Sequence, residues 1–200
     1  TMFMWRDLYE GGSSVMVPMF GKDGRPNATI TKMVQSSKTR HRRLSTPRRT
    51  DVVEYLAADS LLPAIYFLFS RKGCDQTAQQ IAHSSLHLTT PEERTKIRSI
   101  VEHRTSHLGE QDLTVLGYSG WLSVLERGAA AHHAGLVPAF KETVEELFLR
   151  GLVKVVAATE TLALGINMPA RAVVLDSLSK FTGEGHELLQ PSDFTQLTGR

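Results

Sequence analysis

Three apolar runs in this chain end in residues able to hold a phosphate. Ser70-Arg71-Lys72 follows Pro63-Ala-Ile-Tyr-Phe-Leu-Phe69, His132-His133 and Gly135 follow Gly128 to Ala131, and Thr159-Glu160-Thr161 follows Val153 to Ala158, with Gly165 and Asn167 on the same loop. Hydroxyls, cations and backbone N–H groups are the donors that recognise phosphate oxygens, and a glycine lets the backbone come close. A fourth group, Gln196-Leu-Thr-Gly-Arg200, places an amide and a guanidinium after a short helix, where the arginine can reach a second phosphate across a cleft. Each group has a plainer reading when taken alone. Ser-Arg-Lys also fits a solvated turn, a threonine after a strand is commonly a helix cap, and Gly165 fits a tight turn.

Other chemistries find less support. Adjacent residues on a strand point to opposite faces, so at most one of His132 and His133 faces a given site, and the expectation is one packed histidine and one near solvent. The chain has no His-Glu-x-x-His or His-x-x-Glu-His arrangement and Cys74 is its only cysteine, so neither a zinc site nor an internal disulfide is expected. Glu145 and Glu146 are expected on a helix face rather than converging as a hydrolytic pair. No Gly-x-x-x-x-Gly-Lys-Ser/Thr loop and no Asp-Glu-x-His/Asp segment occurs in the chain. The parts that cradle a triphosphate and hold its magnesium are therefore not among these residues.

The elements that position the polar groups follow from periodicity. Helices are expected through Val52–Leu56, from near Gly73, from Pro91 to about Arg104, from Leu113 to Arg127 and from Pro138 to Arg150, the last closed by Gly151. Thr90-Pro-Glu-Glu93 supplies an N-cap hydroxyl, proline in the first turn and a glutamate that can reach back to the cap. Strands are expected at 63–69, 128–133, 153–159 and 171–176. Strands alternating with helices imply an α/β fold with a largely parallel, doubly wound sheet, and ligands of such sheets sit outside the carboxyl ends of the strands.

Residues 1–50 differ from the rest. Their clearest apolar stretch, Val15-Met-Val-Pro-Met-Phe20, is closed by Gly21-Lys-Asp-Gly24, which suggests a strand-like hairpin leading into a poorly ordered linker. Between 21 and 50 the charged residues are Lys22, Arg25, Lys32, Lys38, Arg40, Arg42, Arg43, Arg48 and Arg49 against the acid Asp23, so this basic arm suits a polyanion, or simply a solvated face. The expected domains are a hairpin and basic linker over 1–50 and a single α/β domain over 51–200. No run reaches the roughly 18 apolar residues of a membrane span, the start lacks a secretory pattern, and cytoplasmic residence is the expectation.

Pro63 to Asp75, Ala130-Ala-His-His-Ala-Gly-Leu-Val-Pro138, Gly151 to Ala170 and Gln196 to Arg200 resemble, in order and spacing, motifs IV to VI of superkiller-like DExH-box helicases of superfamily 2. The resemblance covers roughly residues 51–200 and looks nearest to the HelY-type branch. It implies the second RecA-like domain of an ATP-driven 3′-to-5′ helicase acting on single-stranded RNA or DNA, RNA being favoured. It further implies that Thr159 contacts a phosphate of the loaded strand, that Gly165 to Asn167 lie against the nucleotide, that Gln196 approaches its phosphates, and that Arg200 is the first arginine of a Gln-x-x-Gly-Arg-x-Gly-Arg motif. On this reading Ser70, Arg71, Lys72, Gly135, Glu160 and Thr161 join Thr159 on the strand. ATP with Mg²⁺ would be held mainly by the first RecA-like domain of the same protein, so that this chain alone would be an inactive piece broken off within motif VI. The competing reading is a stand-alone nucleic-acid-binding module on the same fold.

Overall fold

The computed structural model describes residues 3–8, 13–23, 25, 27–29, 32, 47–164, 168–181, 183 and 185–199. They fall into two compact units, Thr1–Val52 and Val53–Arg200. In the first, β1 (Phe3–Leu8) pairs antiparallel with β2 (Ser13–Pro18), Phe3 lying opposite Pro18 and Leu8 opposite Ser13. The expected hairpin thus exists, but its partner strand precedes Val15 instead of following the Gly21 turn. That turn is local: Gly21 N–H donates to Arg25 O at 2.8 Å, Arg25 N–H to Asp23 Oδ1 at 3.1 Å, and Asn27 N–H to Met19 O at 2.8 Å. Lys38, Arg40, Arg42 and Arg43 of the basic arm lie outside the described residues.

Helix α1 (Arg49–Ala58) is longer than Val52–Leu56 suggested. The second unit is built on a parallel four-stranded sheet in the order β4-β5-β3-β6, from β3 (Ala64–Phe67), β4 (Ala129–His132), β5 (Val155–Ala158) and β6 (Ala172–Leu175). Helices α2 (Arg71–Ala82), α3 (Pro91–Thr105), α4 (Glu110–Val115), α5 (Tyr118–Glu126) and α6 (Pro138–Leu149) join β3 to β4 and β4 to β5. This is the expected RecA-like α/β arrangement. Strands β3, β4 and β5 are buried along their whole length, as runs such as Ala-Ile-Tyr-Phe and Val-Val-Ala-Ala require of interior parallel strands. Ile65, Phe67, Ile97, Leu125, Val144, Phe148 and Val156 share one apolar core.

Local signals set the ends. Thr90 caps α3 by accepting from Glu93 N–H at 3.2 Å while Glu93 Oε2 accepts from Thr90 N–H at 2.9 Å, the reciprocal box that the sequence foretold. Glu93 Oε1 also binds Lys154 Nζ at 2.7 Å, which ties the start of α3 to the segment before β5. The helix expected over Leu113–Arg127 is in fact two, because Gly117 adopts φ 68° and breaks it into α4 and α5. Trp121 of α5 stacks on Phe140 of α6, with ring centroids 3.7 Å apart and planes 4° from parallel.

After β5 the chain makes a 3-10 turn, Glu160–Leu164, and after β6 a small antiparallel hairpin of β7 (Ser179–Phe181) and β8 (His186–Leu188) that sequence reading missed. Helix α7 (Pro191–Thr198) follows, its Leu197 buried in the same core as Leu162 and Met168. Among the described residues no helix is long and apolar enough to cross a membrane.

Candidate nucleic-acid interface

The sheet order puts the polar groups at one place. Strand β3 sends its chain past β5 to β4, whereas β5 sends its chain past β3 to β6, so these adjacent strands diverge at their carboxyl ends. Ligands of open α/β sheets bind at such a switch point. Phe67 is in register with Ala158, and Leu68 N–H donates to Ala158 O at 2.8 Å, so Ser70 and Thr159 emerge from neighbouring strand ends. His132 is in register with Ala158 on the other side.

Ser70 is the N-cap of α2. Its Oγ accepts from Gly73 N–H at 3.1 Å, so the capping reading holds and the hydroxyl proton is left to donate outward. Arg71 and Lys72 are exposed in the first turn of α2, which carries no acid. Bases are disfavoured there by the helix dipole, and two cations beside exposed N–H groups concentrate positive potential at the strand end. Arg71 crosses toward the β4 side: its Cδ lies 3.5 Å from the point a Gly135 Cβ would occupy. The same point is 3.1 Å from His133 Nδ1, so glycine leaves the room that both side chains use.

Both histidines are buried, contrary to the expectation of one near solvent, and each is held by a carboxylate. His132 Nε2–H donates to Glu145 Oε1 at 2.7 Å, and His133 Nε2–H donates to Asp75 Oδ1 at 3.0 Å while its Nδ1 accepts from Gly135 N–H at 3.1 Å. Burial pushes the His132 pKa below its ordinary value against the opposing pull of Glu145, so the ring is neutral at pH 7 and its buried Nδ1 has no partner among the described residues. Glu145 therefore turns inward from the helix face where the sequence placed it. Glu146 stays on the helix face, accepting from Arg104 Nε at 2.6 Å and pairing with Arg150 at 2.7 Å, both exposed arginines. Among the described residues no cluster of His, Cys, Asp or Glu is placed to hold a metal ion.

At the end of β5 the donors are fewer than the sequence suggested. Thr159 N–H is spent on His132 O at 3.2 Å and Leu162 N–H on Thr159 O at 3.1 Å. Beside them stands a pair of hydroxyls, Thr159 Oγ1 and Thr161 Oγ1, 2.9 Å apart. One of their two protons serves the contact between them and the other is left to donate to an anion. Thr161 also lines an open hollow of ≈ 330 Å³ with His132, His133, Pro138 and Lys141. Lys141 is a cation that sequence reading passed over, hidden among the acids of α6.

Glu160 takes a different course from its neighbours. Its Oε2 pairs with Lys180 Nζ at 3.2 Å, and Lys180 also binds Asp193 Oδ2 of α7 at 3.0 Å. Gln196 is exposed one turn beyond Asp193. Gly165, Asn167 and Arg200 lie outside the described residues, so the structure neither adds them to nor removes them from the site.

This arrangement has counterparts among known proteins. The chain is 58% identical over 154 residues, 77% of its length, to the probable helicase HelY of Mycobacterium tuberculosis, of which it spans 17%. It is 38% identical over 150 residues to the antiviral helicase SKI2 of Saccharomyces cerevisiae, covering 75% of the chain and 12% of that protein. It is 40% identical over 174 residues to the chloroplastic DExH-box ATP-dependent RNA helicase DExH15 of Arabidopsis thaliana, covering 87% of the chain and 14% of that protein. No protein-family model matches the chain.

The chain is homologous, over about three quarters of its length, to HelY and superkiller-like DExH-box helicases.

The polar groups described above fall into two sets. One part is the row Gly135, Thr159, Thr161, Ser70, Arg71 and Lys72 along the ends of β4, β5 and β3. The other is α7 with Gln196, joined to that row through Lys180. No signal in the sequence announced Lys180, because its two partners lie 20 and 13 residues away and meet it only through the fold.

Proposed function

We propose that this chain is the second RecA-like domain of an ATP-dependent 3′-to-5′ helicase and that its strand ends grip a single strand, RNA before DNA, by the phosphates. The observation that carries the reading is the convergence of Ser70, Arg71 and Lys72 with Gly135, Thr159 and Thr161 at the switch point of the sheet. Their hydroxyls and cations are donors suited to phosphate recognition, with Gly135 leaving room beside them, and a base-reading array is not among them. Binding of this kind is sequence-tolerant and salt-dependent. The preference for RNA follows relatives such as DExH15, which is named an RNA helicase.

The nucleotide side is lighter. The exposed carboxamide of Gln196 both donates and accepts, which suits a phosphate oxygen or a ribose hydroxyl, and Arg200 extends the same segment with a planar cation. With no phosphate loop and no magnesium carboxylates in the chain, these residues complete a nucleotide site without forming one. ATP with Mg²⁺, held against the first RecA-like domain, supplies the phosphoryl-transfer energy. Gln196, Arg200 and the loop Gly165 to Asn167 orient its phosphates from this side. The basic arm, Lys22 to Arg49, adds non-specific affinity, and the cytoplasm is the proposed location.

The test compares the whole protein with the isolated 200-residue chain. Turnover of ATP by the whole protein should rise when single-stranded RNA is added, and the isolated chain should hydrolyse none. Turnover by the isolated chain above a buffer control, abolished by Thr159→Ala, would overturn the reading.

A further inference from the structure

The strand-side turn and helix α7 are connected twice, once by apolar packing and once by charge. Leu162 of the Glu160–Leu164 turn and Leu197 of α7 are both buried in the central core. On the polar side a single ammonium, Lys180 Nζ, lies between Glu160 Oε2 at 3.2 Å and Asp193 Oδ2 at 3.0 Å. Lys180 sits on β7, in the hairpin between the two elements, and belongs to neither. Asp193 and then Glu160, by their hydrogen bonds, raise its pKa above the ordinary lysine value, so the bridge is charged at any physiological pH.

Glu160 stands between Thr159 and Thr161, whose hydroxyls are in contact, and Asp193 stands one helical turn before Gln196. A lysine with two carboxylates is more than two weak surface pairs. Without the ammonium, Glu160 and Asp193 would be neighbouring like charges whose repulsion pushes the polar side of the turn and the helix apart.

Resting on the reading given under Proposed function, we infer that Lys180 is a positioning residue: it holds Glu160 to Asp193, so that engagement of a strand by Thr159 and Thr161 fixes where α7 presents Gln196. Glu160 is then an anchor for the turn and not itself a strand contact. Because Lys180 is spent on Glu160 and Asp193 and lies outside the strand-end row, its loss changes how strongly one site feels the other and leaves that row in place.

The experiment uses the whole protein and measures ATP turnover with and without saturating single-stranded RNA, alongside RNA affinity in the absence of nucleotide. Lys180→Met keeps most of the stem and removes the charge; Lys180→Arg keeps the charge. In Lys180→Met the ratio of stimulated to unstimulated turnover should fall about fivefold, the lower end of ordinary coupling between sites, while nucleotide-free affinity stays within about twofold. Lys180→Arg should hold the ratio within about twofold of wild type, and the near-isosteric Asp193→Asn should reproduce the fall without depending on how well the methionine variant folds. A ratio unchanged in both Lys180→Met and Asp193→Asn would overturn the link. A wild-type protein whose turnover ignores RNA would instead overturn the helicase reading itself and take this inference with it.

Discussion

Arg71 and Lys72 separate function from stability. They stand in the first turn of α2, exposed, with no ion pair among the described residues, at the helix end where the dipole favours acids. Replacing both by glutamine should therefore leave the fold intact and raise its stability slightly, by up to about 0.5 kcal/mol each after solvent screening. Strand affinity should move the other way. If each cation neutralises one phosphate of a single strand, losing both flattens the slope of log affinity against log salt by about 1.4, at about 0.7 per contact. Between about 50 and 200 mM salt, about 0.6 of a decade, the gap between wild type and variant should shrink about sevenfold. Fluorescence anisotropy of a labelled homopolymer at several salt concentrations reads the slope, and thermal unfolding reads the stability. A gap that stays constant across salt would remove both residues from the phosphate row, and a large fall in melting temperature would make them structural.

Other outcomes follow from particular contacts. Gly128 has φ 83°, and a Cβ there would lie 2.9 Å from Thr89 Cγ2, so Gly128→Ala should cost about 1–3 kcal/mol, read as a lower urea midpoint; an unmoved midpoint would refute the geometry. Burial opposes the charge on Glu146 and Glu93, but Arg104 with Arg150 and Lys154 respectively overcome it and lower both pKa values. Groups with lowered carboxyl pKa contribute above their unfolded pKa and lose that contribution as pH falls through the folded value, so Glu146→Gln should flatten the decline of stability below about pH 4.5. Buried His132, its pKa also lowered, takes its proton first in the unfolded state, so it adds a decline that begins as pH falls below about 6.5. In the whole protein Arg200→Lys should cut turnover at least about tenfold with little change in ATP affinity, because lysine keeps the charge and loses the planar fork; wild-type turnover would reduce Arg200 to a helix cap.

The sheet was legible because its strands are unbroken apolar runs bounded by polar residues, and α3 because its capping box is written in four consecutive residues, Thr90 to Glu93. The break at Gly117 was readable in principle, but an apolar pattern on both sides masked a single glycine. Strands β7 and β8 are three residues each, too short for alternation to show. The site was legible as a set of strand ends and not as a network. That both histidines are buried, that Glu145 reaches His132 from α6, that Thr159 spends its N–H on β4, and that Glu160 answers to Lys180 are all products of tertiary packing. Residue type and spacing fix which groups are available; only the fold fixes which are already occupied.

The central claim, that the ends of these strands convert ATP turnover into movement along a strand, is tested most directly by the number of base pairs unwound per ATP. The substrate is a duplex with a 3′ single-stranded RNA tail, and the comparison is the whole protein against its Thr159→Ala variant. Removing one of the two hydroxyls in contact at the end of β5 should lower that number severalfold while ATP hydrolysis continues. An unchanged number of base pairs per ATP in the variant would contradict the account.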